Sequence, residues 1–141
     1  MVLNWNGRAD TLRCLESLAA LERSDVEIVC VDNGSADGSP QAIRERFPQV
    51  VLIEAGENLG YAGGNNLGLR RALQSGACWI VLVNNDATVA PDVIAGFERA
   101  AQERPHEPQL AGAVMVSTQV PVHEVCPVGH VVVTHAPAVQ L

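Results

Sequence analysis

Two aspartates stand where a carboxylate can do chemistry. Asp86 closes the triplet Asn84-Asn85-Asp86, directly after the most apolar run of the chain, Ala77 to Val83. One carboxylate in such a place can hold Mg2+ or Mn2+ when phosphate oxygens and waters complete the shell. Asp32 ends a second apolar run and leads into Asn33-Gly34-Ser35. A carboxylate there can accept from a base N–H or a ribose hydroxyl. Gly63 and Gly64 let backbone approach a ligand closely, and the helix that follows offers free N–H groups to an anion. Each feature also has an ordinary reading. Asp and Asn are common caps and turn residues, and paired glycines make tight strand-to-helix turns.

The elements that must position these residues follow from periodicity. Met1 to Trp5 reads as a short strand that lacks its beginning. Leu12, Leu15, Leu18 and Leu21 recur at helical spacing. Val26 to Val31 is a second strand, and Val50 to Ile53 a third. Between them, Asp37-Gly38-Ser39-Pro40 opens a helix, with Ser39 as cap and Pro40 at the first helical position. A helix over Tyr61 to Ser75, a fourth strand over Cys78 to Val83 and a helix from Ala90-Pro91-Asp92 to about Arg104 follow. Leu110 to Val116 reads as a fifth strand. Strands alternating with helices imply an α/β fold with a mainly parallel sheet. In such a sheet ligands bind beyond the carboxyl ends of the strands. The polar clusters of this chain fall at those ends: Asn4-Trp5-Asn6-Gly7, Asp32-Asn33-Gly34-Ser35, Glu57 to Asn66, and Asn84-Asn85-Asp86.

Composition narrows the function. Nine basic residues, all arginine, against 16 acidic ones give a net charge of −7. No basic patch stands out to neutralise phosphates, so nucleic acid is not an expected partner. The longest apolar run falls far short of the roughly 20 residues of a membrane helix. GxxxxGK[ST] is absent, which excludes a P-loop, and no GxGxxG follows the first strand. Cys14, Cys30, Cys78 and Cys126 lie far apart with no CxxC pair. They are read as buried, reduced thiols.

Four segments in order, Asn4-Trp5-Asn6-Gly7, Val31 to Ser35, Asn58 to Gly68 and Leu82 to Asp86, resemble the family 2 glycosyltransferases with a GT-A fold. Within them the chain is most similar to the rhamnosyltransferase-like branch. The resemblance covers residues 1 to 116. It implies a nucleotide-diphosphate-sugar donor, UDP- or dTDP-linked, an acceptor hydroxyl on a carbohydrate or lipid-linked molecule, and inversion at the sugar. It implies that Asp32 contacts the uracil or thymine base, that Asn33 is among the nucleotide-binding residues, that Asn4, Trp5 and Asn6 lie beside the nucleoside, and that Gly64 and Asn65 border the nucleotide. The DxD-type position maps onto Asn84-Asn85-Asp86. Asn84 replaces the first acid there, so Asp86 is the only metal-binding carboxylate carried over, for Mg2+ or Mn2+. The implied setting is polysaccharide or cell-wall synthesis, in the cytoplasm or peripheral at the inner face of the membrane.

Residues 117–141 form an atypical tail. After Glu107 only Glu124 is charged, and Val, Pro, Ala and His dominate. His123-Glu124 is a weak candidate for a base, and His123, Cys126, His130 and His135 fit no standard zinc spacing. The catalytic base of the resembled family comes from a later segment and is not found. The clipped first strand and the unpatterned tail together are expected of a truncated GT-A domain. A donor half that binds nucleotide without turnover is therefore the alternative to an active transferase. A nucleotidyltransferase would want a basic, glycine-rich loop after the first strand, and Asn4-Trp5-Asn6-Gly7-Arg8 does not supply one. Arg70 and Arg71 are read as solvated helix arginines rather than phosphate ligands.

Overall fold

The computed structural model describes residues 1–102 and 131–133. The elements, in order, are β1 (Val2–Asn4), α1 (Arg8–Ala19), β2 (Val29–Asp32), α2 (Ser39–Arg46), β3 (Val51–Glu54), α3 (Gly60–Gln74), β4 (Trp79–Val81), β5 (Val83–Asn84), α4 (Val93–Gln102) and β6 (Val131–Val133). Four of the strands form one parallel sheet in the order β3-β2-β1-β5. The order runs outward from β1 in both directions, so the chain reverses its winding between β1 and β5. That reversal leaves a crevice at the carboxyl ends of the two strands.

Alternation along the strands assigns the two faces. Val2 and Cys30 join Leu15, Leu18, Ile43, Phe47 and Ile94 in one core cluster, beneath α1, α2 and α4. Met1, Val29 and Val31 join Ala72 and Ala77 in the other, beneath α3. β2 is buried along its whole length because helices cover both its faces. Helix α1 buries Thr11, Leu12, Cys14, Leu15 and Leu18, the stripe that helical spacing requires.

Helix α3 reaches its face of the sheet through small residues. Gly64, Gly68 and Ala72 are buried at successive turns. A Cβ at Gly64 would lie 2.5 Å from Leu3 Cδ1, and one at Gly68 would lie 3.0 Å from Val31 Cγ2. These glycines bring the helix onto the strands.

The structure departs from the sequence reading at several places. The run expected as one fourth strand is divided. β5 pairs with β1, whereas β4 pairs with β6 in a second, two-stranded parallel sheet. Leu82 separates them. Apolarity alone does not report which neighbour each half hydrogen-bonds. β6 itself lies within the stretch read as patternless, and its three consecutive valines are strong strand formers. Ser39 is not the cap of α2, since Gly38 occupies that position with φ +79°. The capping carboxylate is Asp37, which accepts from Ser39 N at 3.0 Å and from Arg8 N, the first residue of α1, at 2.9 Å. Arg71 pairs with Glu27 at 2.7 Å instead of being free in solvent. Cys14 and Cys30 are buried free thiols, and burial pushes them up to about 11 and about 12. Cys78 is disulfide-bonded, contrary to the expectation. The strand expected over residues 110–116 and the base and metal candidates of the tail lie outside the described residues. No helix among the described residues is long and apolar enough to cross a membrane.

Candidate donor site

Register places the first pair of site residues. In the parallel ladder between β1 and β2, Asn4 is the partner of Asp32. Both side chains therefore lie on one face, and both are buried. Asn4 Nδ2 donates to Asp32 Oδ1 at 2.7 Å and to Ser35 Oγ at 3.1 Å. Asn4 Oδ1 accepts from Thr11 Oγ1 at 2.8 Å and from Gly7 N at 3.1 Å. A primary amide has two protons and two acceptor positions, so every polar site of Asn4 is used inside the protein. Asp32 Oδ2 accepts from Ser35 N at 2.9 Å. One further donor, such as a base N–H, can still be taken by this carboxylate.

Two other asparagines tie loops together. Asn6 has a left-handed backbone with φ 52°, a conformation that asparagine tolerates. Its N–H donates to Ser35 Oγ at 2.9 Å, and its Oδ1 accepts from Ala36 N at 2.8 Å. Asn33 Nδ2 donates to Asn58 Oδ1 at 2.9 Å, and Asn33 Oδ1 accepts from Leu59 N at 3.0 Å. The loops after β1, β2 and β3 are thus laced into one rim. Gly34 permits a close backbone approach: with φ +77°, any Cβ there would stand 2.7 Å from the Glu57 backbone.

A cleft of about 170 Å³ opens at the crevice between β1 and β5. Leu3 and Trp5 line it from β1 and its loop, Val83, Asn84 and Asn85 from β5 and the turn beyond, and Tyr61 and Asn65 from α3, with Leu82 below. Trp5 and Tyr61 are 57% and 51% exposed, which leaves two aromatic rings open to a ligand. Asn65 is buried and donates to Tyr61 O at 2.9 Å. Gly64 is buried against Leu3 and Asn33 and does not line the cleft. Asn85 Nδ2 donates to Thr11 Oγ1 at 3.1 Å. Cys14 Sγ lies 3.5 Å from Asn84 O and donates to it, which fixes the end of β5 from behind.

Asp86 follows Asn85 in an exposed turn. No group of three or more His, Cys, Asp or Glu side chains that could hold a metal occurs among the described residues. The donor set present suits a cation such as Mg2+ or Mn2+ that is bound by one carboxylate and completed by phosphate oxygens and waters. It does not suit a site closed by protein ligands alone.

The structure therefore gathers Trp5, Asn65, Asn84 and Asn85 around the cleft, with Asp86 beyond it. Asn4, Asn6, Asp32 and Asn33 do not line it and instead hold together the loops of the adjoining rim, and Gly64 serves the helix contact. Sequence reading missed Tyr61, Thr11 and Ser35 as members of the site. Tyr61 and Ser35 lay within quoted motifs. Thr11 carries no signal, since a threonine on an amphipathic helix is unremarkable until its neighbours are known.

Comparison with known proteins agrees with this fold. The profile of Glycosyl transferase family 2 matches residues 1–114. N-acetylglucosaminyl-diphospho-decaprenol L-rhamnosyltransferase of Mycobacterium tuberculosis is 34% identical over 104 residues, covering 66% of this chain and 33% of that protein. Succinoglycan biosynthesis protein ExoO of Rhizobium meliloti is 36% identical over 93 residues, covering 65% of this chain and 26% of that protein. The chain thus spans a third or less of these relatives. Among solved structures, mannosyltransferase PcManGT from Pyrobaculum calidifontis, in complex with GDP-Man and Mn2+, superposes with a TM-score of 0.57 at 29% identity, covering 67% of this chain and 29% of that one. TarS of S. aureus in complex with UDP-GlcNAc superposes at 0.61 with 21% identity, covering 72% and 30%, which speaks for the fold alone. With a parallel sheet flanked by helices, a cleft at its switch point and a profile match over most of its length, the chain belongs to glycosyl transferase family 2 and has the GT-A fold.

Proposed function

We propose that this chain is the donor-binding part of a glycosyltransferase that moves a sugar from a UDP- or dTDP-sugar to an acceptor hydroxyl, with inversion and with help from a divalent cation. The observation that carries the reading is the cleft at the β1/β5 switch point, flanked by Trp5 and Tyr61 and bordered by Asn84 and Asn85, with Asp86 next in the chain. Aromatic rings offer apolar faces to a nucleoside. Asp32, held by Asn4 and Ser35, offers an acceptor to the base. Asp86 would hold Mg2+ or Mn2+ together with the diphosphate. When bound, the cation stabilises the charge that develops on the diphosphate leaving group. The rhamnosyltransferase and succinoglycan relatives support a role in polysaccharide or cell-wall synthesis, with a carbohydrate or lipid-linked acceptor. Residues 1–116 would form the donor domain, with 117–141 a separate tail.

A second reading is a donor half that binds nucleotide without turnover. None of the residues that line the cleft is an acid or a histidine. Transfer needs a base to take the acceptor proton, and no described residue of the cleft supplies one.

Calorimetric titration of UDP, dTDP and GDP, with and without Mn2+, tests the site on the chain and on Asp86→Ala. The expected outcome is binding that tightens at least about tenfold with Mn2+ and loses that gain in Asp86→Ala, the step that about 1.4 kcal/mol represents. A folded chain that binds none of the three under either condition would sink the reading. Release of free nucleotide in the presence of a sugar donor and acceptor separates the transferase from the binding-only alternative.

A further inference from the structure

A carboxylate only accepts hydrogen bonds, and that sets the sense of a chain of side chains behind the cleft. Asp32 requires Asn4 to turn its NH2 toward it. Asn4 Oδ1 then faces Thr11, so the Thr11 hydroxyl must donate. A hydroxyl that donates to Asn4 is left as an acceptor for Asn85 Nδ2. Every donor thus points from the β5 side of the cleft toward the β2 side. Ser35 joins the far end by accepting from Asn4 Nδ2 and from Asn6 N. Asn4 and Thr11 are both wholly buried. Their amide and hydroxyl have no water to exchange with, so the links polarise one another and resist rearrangement. Space is tight as well: a Cβ on Gly7 would come within 2.3 Å of Asn85 Nδ2.

We infer that Thr11 is a positioning residue that couples the Asn85 side of the cleft to the Asp32–Ser35 side, so that the two ends of a bound nucleoside diphosphate are recognised as one unit. This rests on the donor-site reading, and it adds to it a residue that touches no ligand. Asn85 and Ser35 make no hydrogen bond to each other, and their link runs through Thr11 and Asn4. Without the relay, substitutions at 85 and 35 should act independently.

The test is a double-mutant cycle on the full chain, Asn85→Ala against Ser35→Ala, read as the Kd of UDP with Mn2+. The expected combined effect departs from the product of the single effects by about threefold or more, the range of coupled sites. In a Thr11→Val background the effects should multiply. Thr11→Ser, which keeps the hydroxyl, should retain the coupling, a rescue that a purely structural role would not require. Single effects that multiply to within about twofold in the unaltered background would overturn the proposal. The cycle needs no change at position 11, so it decides even if Thr11→Val does not fold. In the ligand-free protein, Ser35→Ala should shift the side-chain amide NMR signals of Asn85, and unmoved signals would also count against the relay. Those signals are read without nucleotide, so loss of UDP, dTDP and GDP binding in the unaltered chain would overturn the donor reading separately.

Discussion

Asparagine occurs at both ends of the site with opposite duties. Asn4 is buried with every polar atom bonded inside the protein, whereas Asn84 and Asn85 border an open cleft. Residue type does not separate them; burial and register do. Asp37 shows the same dependence on context. Burial works against its charge, yet bonds from Ser39 and from Arg8 N hold its carboxyl below the usual 3.8. One side chain therefore serves the amino ends of two helices. Asp37→Ala should cost about 1 kcal/mol, as a lost cap does, seen as a lower urea midpoint near neutral pH. A depressed folded-state pKa stabilises above the unfolded value and loses that contribution in acid. The gap between the variant and the unaltered chain should accordingly close as pH falls below 3.8. A gap that persists unchanged in acid would show that the carboxylate charge is not the stabilising feature.

Helix α3 shows what glycine does at the level of an element. The sequence marks Gly63 and Gly64 as a place where backbone can meet a ligand. The folded chain spends Gly64 and Gly68 on a close helix–sheet contact. A Cβ at Gly68 would fall 2.0 Å from Met1 Sδ and 3.0 Å from Val31 Cγ2. The methionine end can swing aside, but the valine is held in the sheet. Gly68→Ala should destabilise by about 1–3 kcal/mol, the cost of overpacking, measured by chemical denaturation. A variant as stable as the parent would mean that α3 can lift from the sheet without penalty. The division of the expected fourth strand is an element-scale lesson too. Trp79–Val81 and Val83–Asn84 share one apolar run, and only β5 joins the sheet that carries the site.

At the scale of the whole molecule, Met1 is a buried member of the core beneath α3. Its amino group donates to Val81 O at 2.8 Å and is wholly buried. Burial lowers it from 8.0 to about 5, opposed in part by the Cys30 and Cys14 thiols. The unfolded chain binds this proton across that window and the folded chain does not. Stability therefore rises with pH from about 5 to 8.0. Urea unfolding at several pH values checks it, with an N-terminally acetylated chain as control, since acetylation removes the titrating amine. Equal pH dependence in both would assign the effect elsewhere.

Much of this protein is legible in one dimension. Leucines at helical spacing, short β-branched runs and Asn, Asp and Gly clusters between them determine an α/β chain with its polar loops on one rim. Local pattern suffices there because side-chain period and turn chemistry are properties of neighbouring residues. The rhamnosyltransferase-like resemblance rests on the same loops. What the tertiary structure alone decided is which of those polar residues line the cleft and which bond to each other. Asn4 meets Asp32 only because β1 and β2 pair in that register. Thr11 meets Asn85 only because α1 packs against the strand that ends beside it. Such contacts join residues separated by 28 and 74 positions. They depend on strand order and helix packing, which no local window of sequence contains.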